Sequence, residues 1–196
     1  MILSDLLQDQ NPWWRDDAMR RARGYPVRRE LQPKILNLIL RKDDRRAILL
    51  LGPRRTGKTV LLLQLADDLL QSGWPAQNLT YFDFSDARIT GVVTAREVVD
   101  AELVGLNLAY PRVFLLDEIR RAPNWDLWLK QAVDARAGRI VATDSAARPL
   151  RNGSRESGLG RWDEIYLEGL NFREFIQLHG GRGAEVETIL CRSPNL

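Results

Sequence analysis

Hydrophobic and polar positions along the chain alternate between two kinds of segment. Five apolar residues, Ala47-Ile48-Leu49-Leu50-Leu51, run unbroken into Gly52, the pattern of a strand buried on both faces. Thr59–Gln71 then places Leu61, Leu62, Leu65, Ala66, Leu69 and Leu70 at helical spacing, and Gly73 and Pro75 stop it. Leu79–Phe84 alternates around aromatic residues and predicts a second strand. Thr94–Ala109 is expected to be helical, with Thr94 and Glu97 spaced as a capping box. Val113–Leu116 predicts a third strand, Asn124–Ala135 a helix and Arg139–Thr143 a fourth strand. Ile165–Leu167 is a candidate fifth strand and Asn171–Leu178 a short helix. Strands that alternate with helices predict an α/β fold, a parallel sheet with helices on both faces. No internal repeat or low-complexity stretch interrupts this order.

Composition narrows the chemistry. A chain of 196 residues, 44% hydrophobic and 28% charged, suits one globular domain with a sizeable core. It holds 25 Arg, 4 Lys, one His (His179) and one Cys (Cys191). A Cys/His zinc cluster needs about four such ligands, so that class is excluded, as is an internal disulfide. A Ser-His-Asp or Cys-His catalytic group would depend on His179, which is followed by Gly180-Gly181. The longest apolar run falls far short of the roughly 20 residues of a spanning helix. Met1–Leu7 lacks the basic region of a signal peptide, and a cytoplasmic protein is expected. The net charge of +3 points to no particular partner.

The strongest motif is Gly52-Pro53-Arg54-Arg55-Thr56-Gly57-Lys58-Thr59, followed by Val60, which fits G-x-x-x-x-G-K-[ST] between a buried strand and a helix. Glycines allow a tight loop whose successive N–H groups face phosphate oxygens, and the helix start adds its positive dipole end. Lys58 is then placed to bridge β- and γ-phosphates, and the Thr59 hydroxyl to ligate Mg²⁺. Four apolar residues, Val113–Leu116, deliver Asp117 and Glu118 to a strand tip. There Asp117 suits Mg²⁺, and Glu118 suits taking a proton from water attacking the γ-phosphate. Paired carboxylates favour hydrolysis over phosphoryl transfer to a second substrate. Thr143, Asp144 and Ser145 end the fourth strand. They are candidates for a polar contact near the γ-phosphate, with a plain surface turn as the alternative.

Taken together these motifs resemble AAA-type P-loop ATPases that carry a C-terminal DUF4143 domain. The resemblance covers roughly residues 30–178. It also rests on Tyr81-Phe82-Asp83-Phe84, Asn124-Trp125, Gly160-Arg161 and Phe172-Arg173-Glu174-Phe175. It implies ATP rather than GTP, a three-layer P-loop NTPase fold with sheet order 5-1-4-3-2, and Glu118 as base. It further implies Arg161 as an arginine finger, in cis or, with self-association, from a neighbouring subunit, a solvated surface arginine being the alternative. Two residue patterns depart from the family. Asp144 stands where relatives usually have Gly, which adds a carboxylate near the γ-phosphate. Only some 20 residues follow Phe175, where relatives carry a large domain.

The expected organisation is an N-terminal arm with helical character (1–30), a P-loop ATPase domain (31–180) and a tail (181–196). Arg15–Arg29 holds six Arg and follows Trp13-Trp14. Nucleic-acid binding through phosphate contacts and stacking is one use for it. Docking of Trp13, Trp14 and Tyr25 on the ATPase core near the adenine is the favoured alternative. Trp125 and Trp128 are expected in the core or an interface. The expected function is MgATP binding with slow hydrolysis that drives or gates a conformational change. The alternatives are a nucleotide switch with negligible turnover and a nucleic-acid-linked ATPase component.

Overall fold

The computed structural model describes residues 3–16, 25, 27–41, 46–89, 93–101, 105–145 and 160–179. Within them the helices are α1 (Leu3–Gln10), α2 (Gln32–Leu40), α3 (Lys58–Gln71), α4 (Ala95–Asp100), α5 (Trp125–Asp134) and α6 (Phe172–Leu178). The strands are β1 (Ala47–Leu51), β2 (Leu79–Asp83), β3 (Val113–Asp117), β4 (Arg139–Asp144) and β5 (Trp162–Tyr166). All pairs are parallel, and the order is β2-β3-β4-β1-β5. Counted from the β5 edge this is 5-1-4-3-2.

Strand alternation divides the core in two. Leu49, Phe114, Leu116 and Ala142 join α1, α4 and α5 on one face, with Trp128 and Leu129. Ile48, Leu50, Val113, Leu115 and Val141 meet Ile35 and Ile39 of α2 and the leucines of α3 on the other. Apolar residues at successive positions of β1 and β3 therefore serve opposite faces, as continuous apolar strands require. Trp128 is core and Trp125 packs beside it.

Three elements differ from expectation by more than a residue or so at their ends. The helix after Thr94 has its capping box, yet it ends at Asp100. Gly105 takes a left-handed φ of 87°. The Asn78 amide donates to the carbonyls of Asn107 and Tyr110 at 2.9 and 2.8 Å, and its oxygen accepts from the Asn107 amide. A tertiary clamp thus holds 107–110 as a turn where spacing suggested helix. β5 begins at Trp162 rather than Ile165, because an edge strand with β1 on one side needs no apolar run. Helix α2, with Pro33 at its start and Ile35 and Ile39 buried, was not foreseen.

The N-terminal arm closes the exposed edge of β2. An edge strand presents bare N–H and C=O groups on every second residue. Here Trp13 Nε1 and Trp14 Nε1 both donate to the Leu79 carbonyl, at 3.1 and 2.8 Å. Asn11 accepts from the Tyr81 amide at 2.6 Å and donates to the Tyr81 carbonyl at 2.9 Å. Gln10 accepts from the Asp83 amide at 2.8 Å. Four consecutive edge groups are satisfied by side chains. Leu79 opens β2, at the end of the sheet opposite the phosphate loop, so Trp13 and Trp14 dock away from any nucleotide base there. Tyr25 lies elsewhere, its carbonyl accepting from Gln64 of α3 at 2.7 Å.

Asn11 is fully buried and also donates to the Leu7 carbonyl at 2.7 Å. Asn11→Ala strands both Tyr81 groups, and should cost about 2–6 kcal/mol in urea denaturation, at about 1–3 kcal/mol per orphaned group. A midpoint equal to wild type would refute the edge-cover account.

Candidate active site

β1 is followed by Gly52, where an added Cβ would sit 2.2 Å from the Leu167 carbonyl oxygen, so only glycine allows the end of β5 to close on the loop. The chain then turns through Arg55 (φ 68°) and Gly57 (φ 91°) into α3, whose first residue is Lys58. Lys58 is 5% exposed, and its Nζ donates to the carbonyls of Gly52 and Pro53 at 2.9 and 2.8 Å. Burial lowers its pKa, while the charges of Glu118, Asp117 and Asp144 oppose that shift.

The tips of β3 and β4 meet this loop. Asp117 is 2% exposed, and burial raises its carboxyl above the ordinary range against hydrogen bonds from the Thr143 and Thr59 hydroxyls. Thr143 Oγ1 donates to Asp117 Oδ1, and Tyr81 donates to Oδ2 at 3.3 Å. The same Thr143 oxygen accepts from the Glu118 amide at 3.0 Å. Glu118 takes a left-handed conformation (φ 51°), and Ser145 Oγ donates to its Oε1. Arg54, Arg55, Gly57, Lys58, Thr59, Val60, Glu118 and Ser145 line one cleft of about 500 Å³, with Ser85 and Arg121. A larger hollow of about 680 Å³ lies under the arm, lined by Leu3, Leu7, Trp14 and Ala101, and has no phosphate-loop residue.

The donors around Thr59 and Asp117 are hydroxyl and carboxylate oxygens, a hard set that suits Mg²⁺. Asp144 does not face the cleft as a free charge, since its carboxylate pairs with Arg120 at 2.9 Å. Arg161 is not brought to the site. It immediately precedes β5, its carbonyl accepts from the Ala47 amide, and its guanidinium pairs with Asp134 at 2.9 Å. From there to Leu167 is six residues of extended chain, about 20 Å, so it does not serve this chain's own phosphate loop. The loop 151–158 that precedes Gly160-Arg161, and Arg20, Arg21 and Arg23 of the arm, lie outside the described residues.

Sequence pattern missed three contributors. Tyr81 was visible only as part of an aromatic strand, and Arg121 as one arginine among 25. Arg29 carries no local signal at all, yet its Nη1 donates to the Thr56 carbonyl inside the phosphate loop at 2.6 Å. Its Nε pairs with Glu174 of α6 at 2.9 Å. Burial alone would raise the Glu174 carboxyl. Hydrogen bonds from Arg29, the Glu30 amide and the Asn171 amide outweigh it and hold the group below its ordinary range.

Residues 44–176 match the AAA domain family, more than half of the chain. The chain belongs to that family. This AAA domain is 32% identical over 145 residues to an uncharacterised protein of Methanocaldococcus jannaschii, covering 71% of the chain and 29% of the relative. It is 30% identical over 140 residues to one of Haemophilus influenzae, covering 71% and 35%. The chain thus spans about a third of the length of these curated relatives. Among solved structures, C. elegans PCH-2 superposes with a TM-score of 0.50 at 16% identity, over 83% of this chain and 47% of that one. AMPPCP-bound DnaA from Aquifex aeolicus gives 0.47 at 12% identity, over 85% and 61%. The AAA domain is a nucleotide-binding P-loop module with the three-layer α/β fold. Among the described residues no helix is long and apolar enough to cross a membrane.

Thr143→Val leaves the Glu118 amide without its acceptor and should cost about 1–3 kcal/mol in denaturant unfolding. Thr143→Ser should restore most of it, and equal losses in both would refute the hydroxyl's role. Glu174, held below its ordinary value of 4.5, adds stability that is present above that pH and lost as pH falls through the lowered value. Wild type should therefore exceed Glu174→Gln in stability at neutral pH, and the difference should vanish in acid. A difference independent of pH would contradict this.

Proposed function

We infer that this AAA domain is an ATPase module that binds MgATP across the phosphate loop and hydrolyses it slowly to drive or gate a conformational change. The observation that carries it is the convergence of Lys58 and Thr59 from the start of α3 with Asp117, Glu118 and Ser145 from the ends of β3 and β4 around one cleft. Lys58 holds the β- and γ-phosphates as a point charge, and the loop amides of Gly52–Val60 cradle them. Thr59 and Asp117 hold Mg²⁺, which supplies charge neutralisation at the phosphate oxygens. Glu118 accepts a proton from the attacking water. The water oxygen bonds to the γ-phosphorus, the bond to the bridging oxygen breaks, and ADP leaves with that electron pair.

Slow turnover is supported by Ser145, whose hydroxyl engages one carboxylate oxygen of Glu118. The pairing of Asp144 with Arg120 weakens one reason to expect a switch without turnover. The described arginines of the arm have internal partners. Arg28 pairs with Asp68 at 3.1 Å, and Arg15 donates to Gln8 at 3.0 Å, which weakens the case for nucleic acid. An arginine-finger role for Arg161, which pairs with Asp134 within this chain, would be toward a neighbouring subunit. The finer resemblance, to AAA chains followed by a DUF4143 domain, belongs to this proposal and accords with relatives of which the chain spans about a third.

ATP affinity and phosphate release should be measured for wild type, Lys58→Ala and Glu118→Gln. Lys58→Ala should bind ATP about tenfold more weakly or worse. Glu118→Gln should keep affinity and lose about 100-fold or more in turnover. Unchanged affinity in Lys58→Ala would sink the site assignment. Wild type that binds tightly yet releases no more phosphate than Glu118→Gln would select the switch.

A further inference from the structure

Arg29 joins the phosphate loop to the stretch that links β5 to α6 and to α6 itself. Besides Thr56 and Glu174, its Nη2 donates to the carbonyls of Glu168 and Gly169, at 3.0 and 3.1 Å, in the stretch that links β5 to α6. Its side chain is 11% exposed and that of Glu174 only 4%. Glu174 in turn builds the start of α6. Its Oε2 accepts from the Asn171 amide at 3.0 Å, its own amide donates to Asn171 Oδ1 at 2.8 Å, and its Oε1 also accepts from the Glu30 amide at 2.9 Å. Asn171 Nδ2 donates to Glu30 at 3.0 Å.

Apart from this junction, α6 is tied by the more exposed Arg173–Glu30 ion pair at 3.4 Å. The helix is seven residues long, too short to persist alone. Glu174 is its buried residue, while Phe172, Phe175 and Leu178 are 41%, 48% and 55% exposed. Its attachment is therefore a polar junction centred on one guanidinium. That guanidinium also grips the Thr56 carbonyl, which belongs to the peptide unit whose N–H, on Gly57, is part of the phosphate cradle. A peptide plane is rigid, so an N–H that turns toward a phosphate turns its carbonyl with it.

We propose that Arg29 is a positioning residue that couples nucleotide occupancy of the phosphate loop to the ordering of α6 through Glu174, an inference that rests on the nucleotide site described above. Ligand binding at the loop fixes the Thr56–Gly57 peptide, fixes Arg29 and so tightens α6. By linkage, loosening α6 weakens nucleotide binding by the same factor.

The test combines two measurements on the full chain. One is the affinity for a fluorescent ATP analogue with Mg²⁺. The other is amide hydrogen exchange over residues 171–178 with and without that analogue, in wild type, Arg29→Met, Arg29→Lys and Lys58→Ala. Nucleotide should slow exchange over 171–178 in wild type by about fivefold or more, the lower range of typical couplings. Arg29→Met should abolish that response while still binding, with affinity lowered by a matching factor. Arg29→Lys, which keeps the charge but not the fork, should recover only part of it. Glu174→Gln provides a second break in the junction should Arg29→Met fail to fold. Wild type that binds the analogue with no change at α6 overturns the coupling alone, as does an Arg29→Met response equal to wild type. Wild type that binds no nucleotide overturns the site assignment and the coupling together.

Discussion

The polar end of the molecule depends on β4 lying between β1 and β3. Parallel strands all point their C-terminal ends the same way, so inserting one strand fixes which tips are neighbours. Thr143 comes to rest between the phosphate loop and the two carboxylates, and its one hydroxyl addresses both Asp117 and the Glu118 amide. The apolar strands behind these tips remove water from them. That is why Lys58 is pushed toward neutrality against the nearby charges of Glu118, Asp117 and Asp144, and Asp117 toward protonation against the hydroxyls of Thr143 and Thr59. Core packing and site electrostatics are here one arrangement seen from two ends of the same strands.

What the sequence made legible follows from how local each signal is. β1, the glycine loop and α3 announce themselves because one apolar run, two glycines and a leucine stripe each act within a few residues. β3 and its acidic tip are readable for the same reason. Helix α4 was overestimated because its spacing is helical, while Asn78, about 30 residues earlier, ties down residues 107–110. β5 was clipped because edge strands with polar residues lack periodic contrast. Asp144 looked like an intruding charge, since Arg120 sits 24 residues away in sequence and meets it only when β3 and β4 pair. Arg29 could not be singled out by any pattern. Its partners Thr56, Glu168, Gly169 and Glu174 converge only in three dimensions.

The abundance of arginine acquires a meaning in this light. Arg28, Arg29, Arg46, Arg88, Arg120 and Arg161 each pair with a carboxylate, and several bridge segments far apart in the chain. A planar fork with five donors suits such multi-partner junctions. Lys58 stands where a compact ammonium is wanted instead, among converging carbonyls at the mouth of a helix.

The side-chain cover on β2 has one more consequence, for how the sheet is assembled. Outward-facing N–H and C=O groups recur on every second residue, and the arm meets Leu79, Tyr81 and Asp83 with acceptors and donors of matching sense. Sliding β2 by a single residue along β3 would turn those groups inward and present Thr80 and Phe82 to Asn11 and Gln10 in their place. The arm therefore acts as a gauge of strand alignment, able to lock down only on the correctly phased sheet.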